Sequence, residues 1–342
     1  MTVKTIKLIS RGSRQDRFSL YRSQTPNNAC WWGKCYFTFN PLDKNYDWYV
    51  ALDNIPNMSE TKYYENLYCP KENTILVTIE PSSISRYGRG FAGQFHYLIT
   101  NQSEKVLPHP NAIRSQTGIY WLYGKDFNDI IKDDFLPKTK ILSTICSDKR
   151  EGHTMHKKRY DFTALMEKKI PQLQRFGRGF TFVEKKYQAL DDYKFHVVIE
   201  NHIEKHMWSE KLADAFLGFT VPIYCGCPNV YDYFPKDSLV LIDINKPQEA
   251  LQIIQDLITK TGEYERRFEA VKEARRKVIY EYNLLAMINK IVENEPQHSF
   301  TPNQKIYSRR LMRARHIDDL LQFIAFRISN FTKGLYYRFL DK

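Results

Sequence analysis

A serine, a glutamate and a lysine stand side by side before a short apolar segment, as Ser209-Glu210-Lys211. Serine is a good N-cap, and the apolar residues that follow recur at helical spacing up to Gly218, which predicts one short helix. Glu210 and Lys211 would then occupy its first turn, where unpaired N–H groups and the helix dipole favour an anion. The lysine could neutralise a phosphate, and the carboxylate could accept hydrogen bonds from sugar hydroxyls. The alternative is an ordinary first-turn acid beside a solvated lysine.

Strand-like segments bounded by turns fill the first part of the chain. Five segments have the apolar pattern of strands: 3–9, 35–39, 47–52, 74–80 and 95–100. A helix candidate lies between them at 58–68. This mixture predicts an open α/β domain.

A second series of strands and helices begins near residue 140. We predict strands at 140–147, 194–200, 221–226 and 238–244, and helices at 156–168, after Ser209 and from 247 to about 292. Apolar strands separated by helices are what a parallel sheet covered on both faces requires. The sequence therefore predicts two doubly wound, Rossmann-like α/β domains that face each other across a cleft, with ligands at the carboxyl ends of the strands. Their predicted bounds are 1–138 and 139–295, followed by a helical tail at 296–342.

The composition is that of a folded, basic protein. A chain of 342 residues suits two domains, and 42% hydrophobic residues with only 14 glycines and 15 prolines argue against disorder. The six cysteines lack the spacing of a metal site, so we expect free thiols in a reducing, cytoplasmic compartment. We recognise neither a secretory signal nor an apolar stretch long enough to span a membrane.

The run from 193 to 244 resembles the donor-binding motif of the family-10 glycosyltransferases, the α-1,3/4-fucosyltransferases, in a bacterial-type form. The family pattern is Tyr-Lys-Phe, an apolar strand, Phe-Glu-Asn-Ser, a loop, Tyr-Val-Thr-Glu-Lys-Leu, then Gly-x-x-Pro and a strand that ends in Gly. The matching residues fall in the same order here: Tyr193, Lys194, Phe195, Glu200, Asn201, Glu210, Lys211, Leu212, Ala215, Gly218, Pro222 and Gly226. "YFPKDSLVLIDI" at 233–244 continues the match.

The resemblance implies a GT-B fold with an acceptor-side first domain and a second domain that binds a nucleotide sugar. The implied reaction is an inverting transfer of fucose from GDP-fucose to a hydroxyl of an acceptor glycan, such as a surface polysaccharide or lipopolysaccharide. By position, Glu210 would bind the ribose and Lys211 the phosphates, next to Ser209. Asn201 would lie on the loop above the sugar, while Glu200 could be structural or contact the donor.

Further donor-binding candidates come from the same resemblance. The family places an arginine on the pyrophosphate, and the matching region is 152–165. Arg159 is our choice there, and Lys158 fits almost as well. The family's turn near the nucleotide corresponds to "FGRG", which makes Gly177 and Gly179 candidates.

Two departures from the family pattern bear on the transferred sugar. His202 stands where the family has serine, and Trp208 lies in the segment before the Ser-Glu-Lys triplet. Both side chains are candidates for a sugar pocket. A nucleotide sugar other than GDP-fucose is therefore the alternative donor.

An inverting transfer needs a general base from the other domain. The strand at 74–80 ends in Glu80, and a carboxylate at the carboxyl end of a strand points to where ligands bind. The family has a similar strand ending in Glu-Ser-Pro, although the serine is missing here. Glu80 is our candidate base, with His153 and His96 as assisting candidates. We expect no metal, because Lys211 and the basic residue near 159 could neutralise the leaving diphosphate.

The last 42 residues hold half of the chain's excess charge. Residues 301–342 contain nine lysines and arginines against three aspartates, within a net charge of +12. The segment 317–340 has an apolar helical face made by Leu320, Leu321, Ile324, Ile328 and Phe331. Such a helix suits an anionic membrane surface, where a lipid-linked glycan acceptor could be met, or it could pack on the enzyme's own body. A basic nucleic-acid-binding protein is the non-enzyme alternative, but no nucleic-acid-binding signature supports it.

Overall fold

The structure, a computed structural model, describes residues 3–12, 17–56, 63–118, 120–132, 135, 137–150 and 155–340, with side chains to residue 332. The strands are Lys4–Ser10 (β1), Trp31–Trp32 (β2), Cys35–Thr38 (β3), Trp48–Leu52 (β4), Tyr64–Asn66 (β5), Thr74–Thr78 (β6), Tyr97–Thr100 (β7), Ala112–Arg114 (β8), Lys140–Ile145 (β9), Leu173–Phe176 (β10), Tyr193–Ile199 (β11), Val221–Cys225 (β12), Val240–Leu241 (β13) and Lys305–Tyr307 (β14). The α-helices are Phe18–Arg22 (α1), Arg89–Ala92 (α2), Phe127–Lys132 (α3), His156–Lys169 (α4), Glu210–Leu217 (α5), Pro247–Thr259 (α6), Glu263–Tyr280 (α7), Leu284–Asn294 (α8), Arg309–Arg315 (α9) and Ile317–Leu340 (α10).

The chain divides into two compact units. The first comprises Met1–Tyr120, Asp126–Asn128 and Asn283–Leu335, and the second comprises Trp121–Lys125, Asp129–Tyr282 and Tyr336–Lys342. The predicted bounds of 1–138, 139–295 and 296–342 are therefore displaced. Both α8 and most of the predicted tail group with the first unit.

The first unit is built on a sheet that is buried on both faces. Among the described residues its strand order is β2-β3-β1-β4-β6-β7-β8, and every neighbouring pair is parallel except β2 and β3. Along β4, Val50 and Leu52 pack into one apolar cluster, whereas Tyr49 and Ala51 pack into another. Since successive side chains of a strand point to opposite faces, the two clusters cover the two sides of the sheet.

The second unit contains a parallel five-stranded sheet in the order β10-β9-β11-β12-β13. Its central strand β11 is almost wholly buried, as expected for a sheet covered by helices. Helices α4 and α5 pack against strands of this sheet, and α5 connects β11 to β12. The predicted α/β class with two doubly wound sheets is confirmed.

The predicted long helical stretch from 247 to about 292 consists of three helices, α6, α7 and α8. The first break falls at Gly262, whose φ of 75° is in the left-handed region that favours glycine. The second falls at Asn283, whose side chain accepts a hydrogen bond from the Leu285 N–H at 3.0 Å and so caps α8. Because Leu284 and Ile288 pack into the apolar cluster of the first sheet, α8 belongs to the first unit.

The predicted helix at 58–68 is wrong over its described part. Residues 57–62 lie outside the described residues, and Tyr64–Asn66 form β5, paired antiparallel with β14. Glu65 faces inward, where its Oε1 accepts a hydrogen bond from the Lys7 Nζ at 2.8 Å. A strand partner some 240 positions away in the sequence gives no local signal, which is why the helix-like composition misled the prediction.

The tail forms the predicted helix and returns to the first unit. The Asp319 carboxylate accepts hydrogen bonds from the N–H groups of Gly90 at 2.8 Å and Phe91 at 3.0 Å, at the start of α2. Gly88 before them has a φ of 85°, and a Cβ there would collide with Asp319. The opposite face of α10 is exposed, with Leu321 at 56% and Ile328 at 59%. No described helix is long and apolar enough to cross a membrane.

The buried pair of Lys7 and Glu65 generates a stability prediction. Lys7 is 1% exposed, so Glu65→Gln would leave a buried ammonium without its counter-charge. We expect a loss of about 3–5 kcal/mol in the free energy of unfolding. The matched control is Glu265→Gln, which removes an exposed partner of Lys194 at 2.9 Å and should cost less than about 1 kcal/mol. Equal urea midpoints for the two variants would contradict the prediction.

Candidate functional site

A cavity of about 360 Å³ opens in the second unit at the carboxyl edge of its sheet. Residues that follow β9, β10 and β11 form one side, and the first turn of α5 forms another. The polar and charged side chains on its wall are Ser147, Lys149, His156, Arg159, Arg178, Lys186, His196, Asn201, Glu210, Lys211 and Asp214. This edge is where ligands bind in open α/β sheets, as predicted.

The start of α5 is fixed by a buried carboxylate. Glu200 follows β11 and is 2% exposed. It accepts hydrogen bonds from the Ser209 N–H at 2.8 Å and from the Ser209 Oγ at 2.7 Å. The same Oγ accepts a hydrogen bond from the Lys211 N–H at 3.3 Å, so Ser209 is the predicted N-cap. Neither Glu200 nor Ser209 lines the cavity, and both act by positioning the turn that does.

Glu210 and Lys211 form an ion pair on the cavity wall. The Lys211 Nζ lies 3.1 Å from Glu210 Oε1 and 3.6 Å from Glu200 Oε2. Burial would raise the pKa of Glu210, but Lys211 and Lys186 outweigh burial and lower the pKa to about 2. Burial also opposes the charge of Lys211, while Glu200 and Glu210 raise its pKa. Both groups are therefore charged at neutral pH.

A second lysine and a buried aspartate extend this pair, and sequence reasoning missed them. The Lys186 Nζ lies 2.7 Å from Asp214 Oδ2 and 3.9 Å from Glu210 Oε1. The other oxygen of Asp214 accepts a hydrogen bond from the Leu122 N–H at 3.1 Å. Burial raises the pKa of Asp214 to about 6, although Lys186 acts against that rise. One signal was present, because an aspartate on the buried face of an apolar helix needs a partner.

Of the two basic candidates on α4, the geometry favours Arg159. Arg159 lines the cavity, and its Nη1 donates to the Asn201 Oδ1 at 2.8 Å. Among the described residues its buried Nε has no hydrogen-bond partner, although it is a strong donor. Lys158 is exposed, donates to Asn245 Oδ1 at 2.7 Å and does not line the cavity.

Of the two candidate glycines in the turn after β10, one lies on the cavity wall. Gly177 lines the cavity with a φ of 127°, and a Cβ there would lie 3.1 Å from the Cys146 carbonyl oxygen. Only glycine suits that conformation and that space. Gly179 stands beside Asp148 and is not on the cavity wall.

Neither of the two sugar-pocket candidates, His202 and Trp208, is on the described wall of this cavity. Trp208 is 3% exposed and packs against the rings of Tyr233, Phe234 and Tyr282. An indole that is turned into an aromatic cluster fills core volume instead of contacting a ligand. His202 points to Glu204, with Nε2 3.0 Å from Oε2.

The candidate base belongs to the first unit. Glu80 follows β6 at the carboxyl edge of the first sheet, as predicted. Its N–H donates to the Tyr87 hydroxyl at 3.3 Å, and its carbonyl oxygen accepts from the Gln102 Nε2 at 3.1 Å. His96 immediately precedes the parallel strand β7 and so stands at the opposite edge, away from Glu80. His153 lies outside the described residues.

A protein-family model matches the part of the chain that forms most of the cavity wall. Residues 136–300 match the model described as glycosyltransferase family 10 (fucosyltransferase) C-term. The chain is 35% identical over 83 residues to the alpha-(1,3)-fucosyltransferase FucT of Helicobacter pylori, which covers 24% of this chain and 17% of that protein. It is 30% identical over 92 residues to the human 4-galactosyl-N-acetylglucosaminide 3-alpha-L-fucosyltransferase 9, with 25% and 26% covered. The alignments thus span about a quarter or less of these relatives.

Solved structures of similar arrangement were also found. A crystal structure of an alpha1,3-fucosyltransferase superposes with a TM-score of 0.48 at 17% identity, over 87% of this chain and 94% of that one. The same type of protein with GDP-fucose gives 0.47 at 17%, over 88% and 94%. Anabaena Alr3699/HepE in complex with UDP gives 0.47 at 11%, over 84% and 98%.

The pairing of Lys186 with Asp214 generates a pH-dependent prediction. Because the folded-state pKa of Asp214 is about 6 against an ordinary value of 3.8, its contribution to stability falls as the pH rises through about 6. Lys186→Met removes the positive charge that partly offsets the cost of ionising the buried Asp214 carboxyl. At pH 5, where Asp214 is mostly neutral, the variant should lose only the longer contact with Glu210, whereas at pH 8 we expect an additional loss of roughly 3 kcal/mol.

Urea unfolding at the two pH values measures this difference. The control is Lys157→Met, whose partner Asp161 is exposed and pairs at 3.0 Å. It should change little at either pH. A deficit of Lys186→Met that is equal at pH 5 and pH 8 would show that Asp214 does not cause it.

Proposed function

We propose that this protein transfers fucose from GDP-fucose to a hydroxyl of an acceptor glycan, because residues 136–300 match the model described as glycosyltransferase family 10 (fucosyltransferase) C-term. The observation that carries the proposal is the cavity in that domain, whose wall joins Glu210 and Lys211 to Arg159. A carboxylate and two cations lie on the same wall there, and a ligand with both sugar hydroxyls and phosphates requires both kinds of group.

The diphosphate would lie against the basic side of the cavity. Lys211 stands in the first turn of α5, where the helix dipole adds to its charge, and Arg159 brings a buried Nε donor that has no partner in the described part of the chain. Lys149 and Arg178 add two more cations to the wall. These groups would stabilise the negative charge that develops on the leaving diphosphate, so the scheme requires no divalent cation.

The ribose would be held by Glu210. With its pKa lowered to about 2, this carboxylate remains ionised throughout the physiological range. An ionised carboxylate accepts strong hydrogen bonds from the two ribose hydroxyls. Lys186 at 3.9 Å and Lys211 at 3.1 Å hold it in place from two sides.

Glu80 would act as the general base. Its carboxylate takes the proton of the acceptor hydroxyl while that oxygen attacks the anomeric carbon of the fucose. The bond to the diphosphate breaks on the opposite face, and GDP leaves with the electron pair, which inverts the anomeric centre. The location of Glu80 at the carboxyl end of β6 and the two hydrogen bonds on its backbone support this role.

Fucose is preferred to another sugar because the departures from the family motif fall off the cavity. Trp208 packs in the aromatic core and His202 pairs with Glu204. Neither substitution changes the described wall of the cavity.

Two substitutions test the division of labour between donor binding and transfer. Lys211→Ala removes the proposed phosphate contact and should abolish detectable GDP-fucose binding. Glu80→Gln should bind GDP-fucose as the wild type does, but its transfer rate should fall by at least about 100-fold. Calorimetry measures the binding, and GDP release measures the transfer.

The matched controls are Lys158→Ala, a neighbouring exposed lysine off the cavity, and Glu104→Gln, an exposed acid of the first unit. Both should retain binding and transfer. Wild-type affinity in Lys211→Ala would refute its phosphate role, and full activity in Glu80→Gln would refute the base.

We also propose that α10 lies on an anionic membrane surface, where a lipid-linked acceptor would be found. The exposed apolar stripe with Leu321, Ile324 and Ile328 supports this proposal, and Arg327 is exposed on the same helix. Sedimentation with phosphatidylglycerol vesicles should capture the wild type and lose the variant Leu321→Ser/Ile328→Ser. The control Leu42→Ser/Phe182→Ser removes two exposed apolar side chains elsewhere and should still sediment. Equal sedimentation of both variants would contradict the proposal.

A further inference from the structure

A second cavity of about 370 Å³ lies entirely within the first unit. Its walls are the loop after Glu80, a short segment around Lys105, and one face of α10. We call it the basic groove, defined by Ser82, Ser83, Arg86, Lys105, Phe326 and Asn330. The reaction scheme above makes no use of it.

The tail helix presents different surfaces on its two sides. Residues 322, 325, 326, 329 and 330 of α10 line the basic groove. They recur at helical spacing and lie opposite the exposed apolar stripe that contains Leu321 and Ile328. The inner side of α10 thus closes a polar groove, whereas its outer side is apolar and exposed.

The opposite wall is held in place without any ligand. The Gln102 Nε2 donates to the carbonyl oxygens of Glu80 at 3.1 Å and Ser85 at 2.9 Å. The Arg309 Nη2 donates to the Ser85 Oγ at 2.8 Å and to the Arg86 carbonyl oxygen at 2.6 Å. Because the loop is fixed at several points, its side chains would lose little conformational entropy on binding.

The charges in the basic groove are not neutralised by the protein. Within the described part of the chain, neither the Arg86 guanidinium nor the Lys105 ammonium has an ion-pair or hydrogen-bond partner. This contrasts with Arg309, which is bonded to the loop, and with Lys7, which is paired. Two uncompensated cations beside serine hydroxyls form a site for an anion.

We propose that the basic groove binds a phosphate group carried by the acceptor glycan. This inference rests on the proposed function: the wall of the groove begins at Ser82, two positions after the candidate base Glu80, and we take the acceptor to reach from Glu80 into the groove. The Arg86 fork matches two phosphate oxygens, and Lys105 supplies a point charge. Phe326 provides an apolar face for a sugar ring, and the Asn330 amide can bond its hydroxyls. The acceptor is therefore an anionic, phosphorylated glycan.

The test uses the full chain saturated with GDP, so that the phosphate site of the second unit is occupied. Glucose 1-phosphate and glucose are titrated separately as probes that differ only in the phosphate. Glucose 1-phosphate should bind at least tenfold more tightly to the wild type than to Arg86→Gln/Lys105→Gln, and glucose should bind weakly to both. The control Lys71→Gln/Lys168→Gln removes the same charge at exposed positions and should match the wild type.

The outcomes separate this proposal from the proposed function. GDP-fucose affinity measured in parallel reports the donor site alone and should be equal in all of these variants. Equal affinity for glucose and its phosphate, or an unchanged affinity in the double variant, would overturn the proposal. If the double variant lost binding only to phosphatidylglycerol vesicles, the phosphate would be that of a lipid headgroup and the acceptor assignment would be wrong. Lys105→Gln alone, at an exposed position, gives the same test should the double variant fail to fold.

Discussion

The candidate site depends on the buried Glu200 carboxylate at the end of β11. It receives two hydrogen bonds from Ser209 and faces the ammonium of Lys211, and thereby ties the central strand to the first turn of α5. A buried carboxylate is tolerated only when its charge and lone pairs are satisfied, so the strand end and the helix start must keep this geometry. The positions of Glu210, Lys211 and Asp214, which line the cavity from α5, depend on this contact.

From Glu200 outward the charges alternate in sign. Lys211, Glu210, Lys186 and Asp214 follow in contact order, with separations between 2.7 and 3.9 Å. Each of the two lysines therefore lies between two acids. The series keeps Glu210 ionised, and Arg159 lies on the same cavity wall with further cations. In the proposed function, the carboxylate would hold the ribose and the cations would hold the phosphates of a nucleotide sugar.

Much of the candidate site can be predicted from the sequence because the signals for it are local. Ser209 as a cap, Glu210 and Lys211 in the first turn, and Glu80 at a strand end all follow from capping, periodicity and strand polarity. The sequence could not show that Lys186 meets Asp214 across 28 positions, since it stands among several lysines of similar character. The sequence also does not show that Trp208 packs in the core, because an aromatic residue next to a motif suits a core as well as a pocket. Helix α8 and strand β14 belong to the first unit although they lie far along the chain from its other elements, and nothing in the local sequence indicates this packing.

Selection of GDP-fucose by this cavity can be measured by calorimetric titration of the wild-type chain with GDP-fucose, GDP-mannose and UDP-galactose. We predict that GDP-fucose binds at least about tenfold more tightly than either of the others. Tighter binding of UDP-galactose, or equal binding of the two GDP sugars, would contradict it.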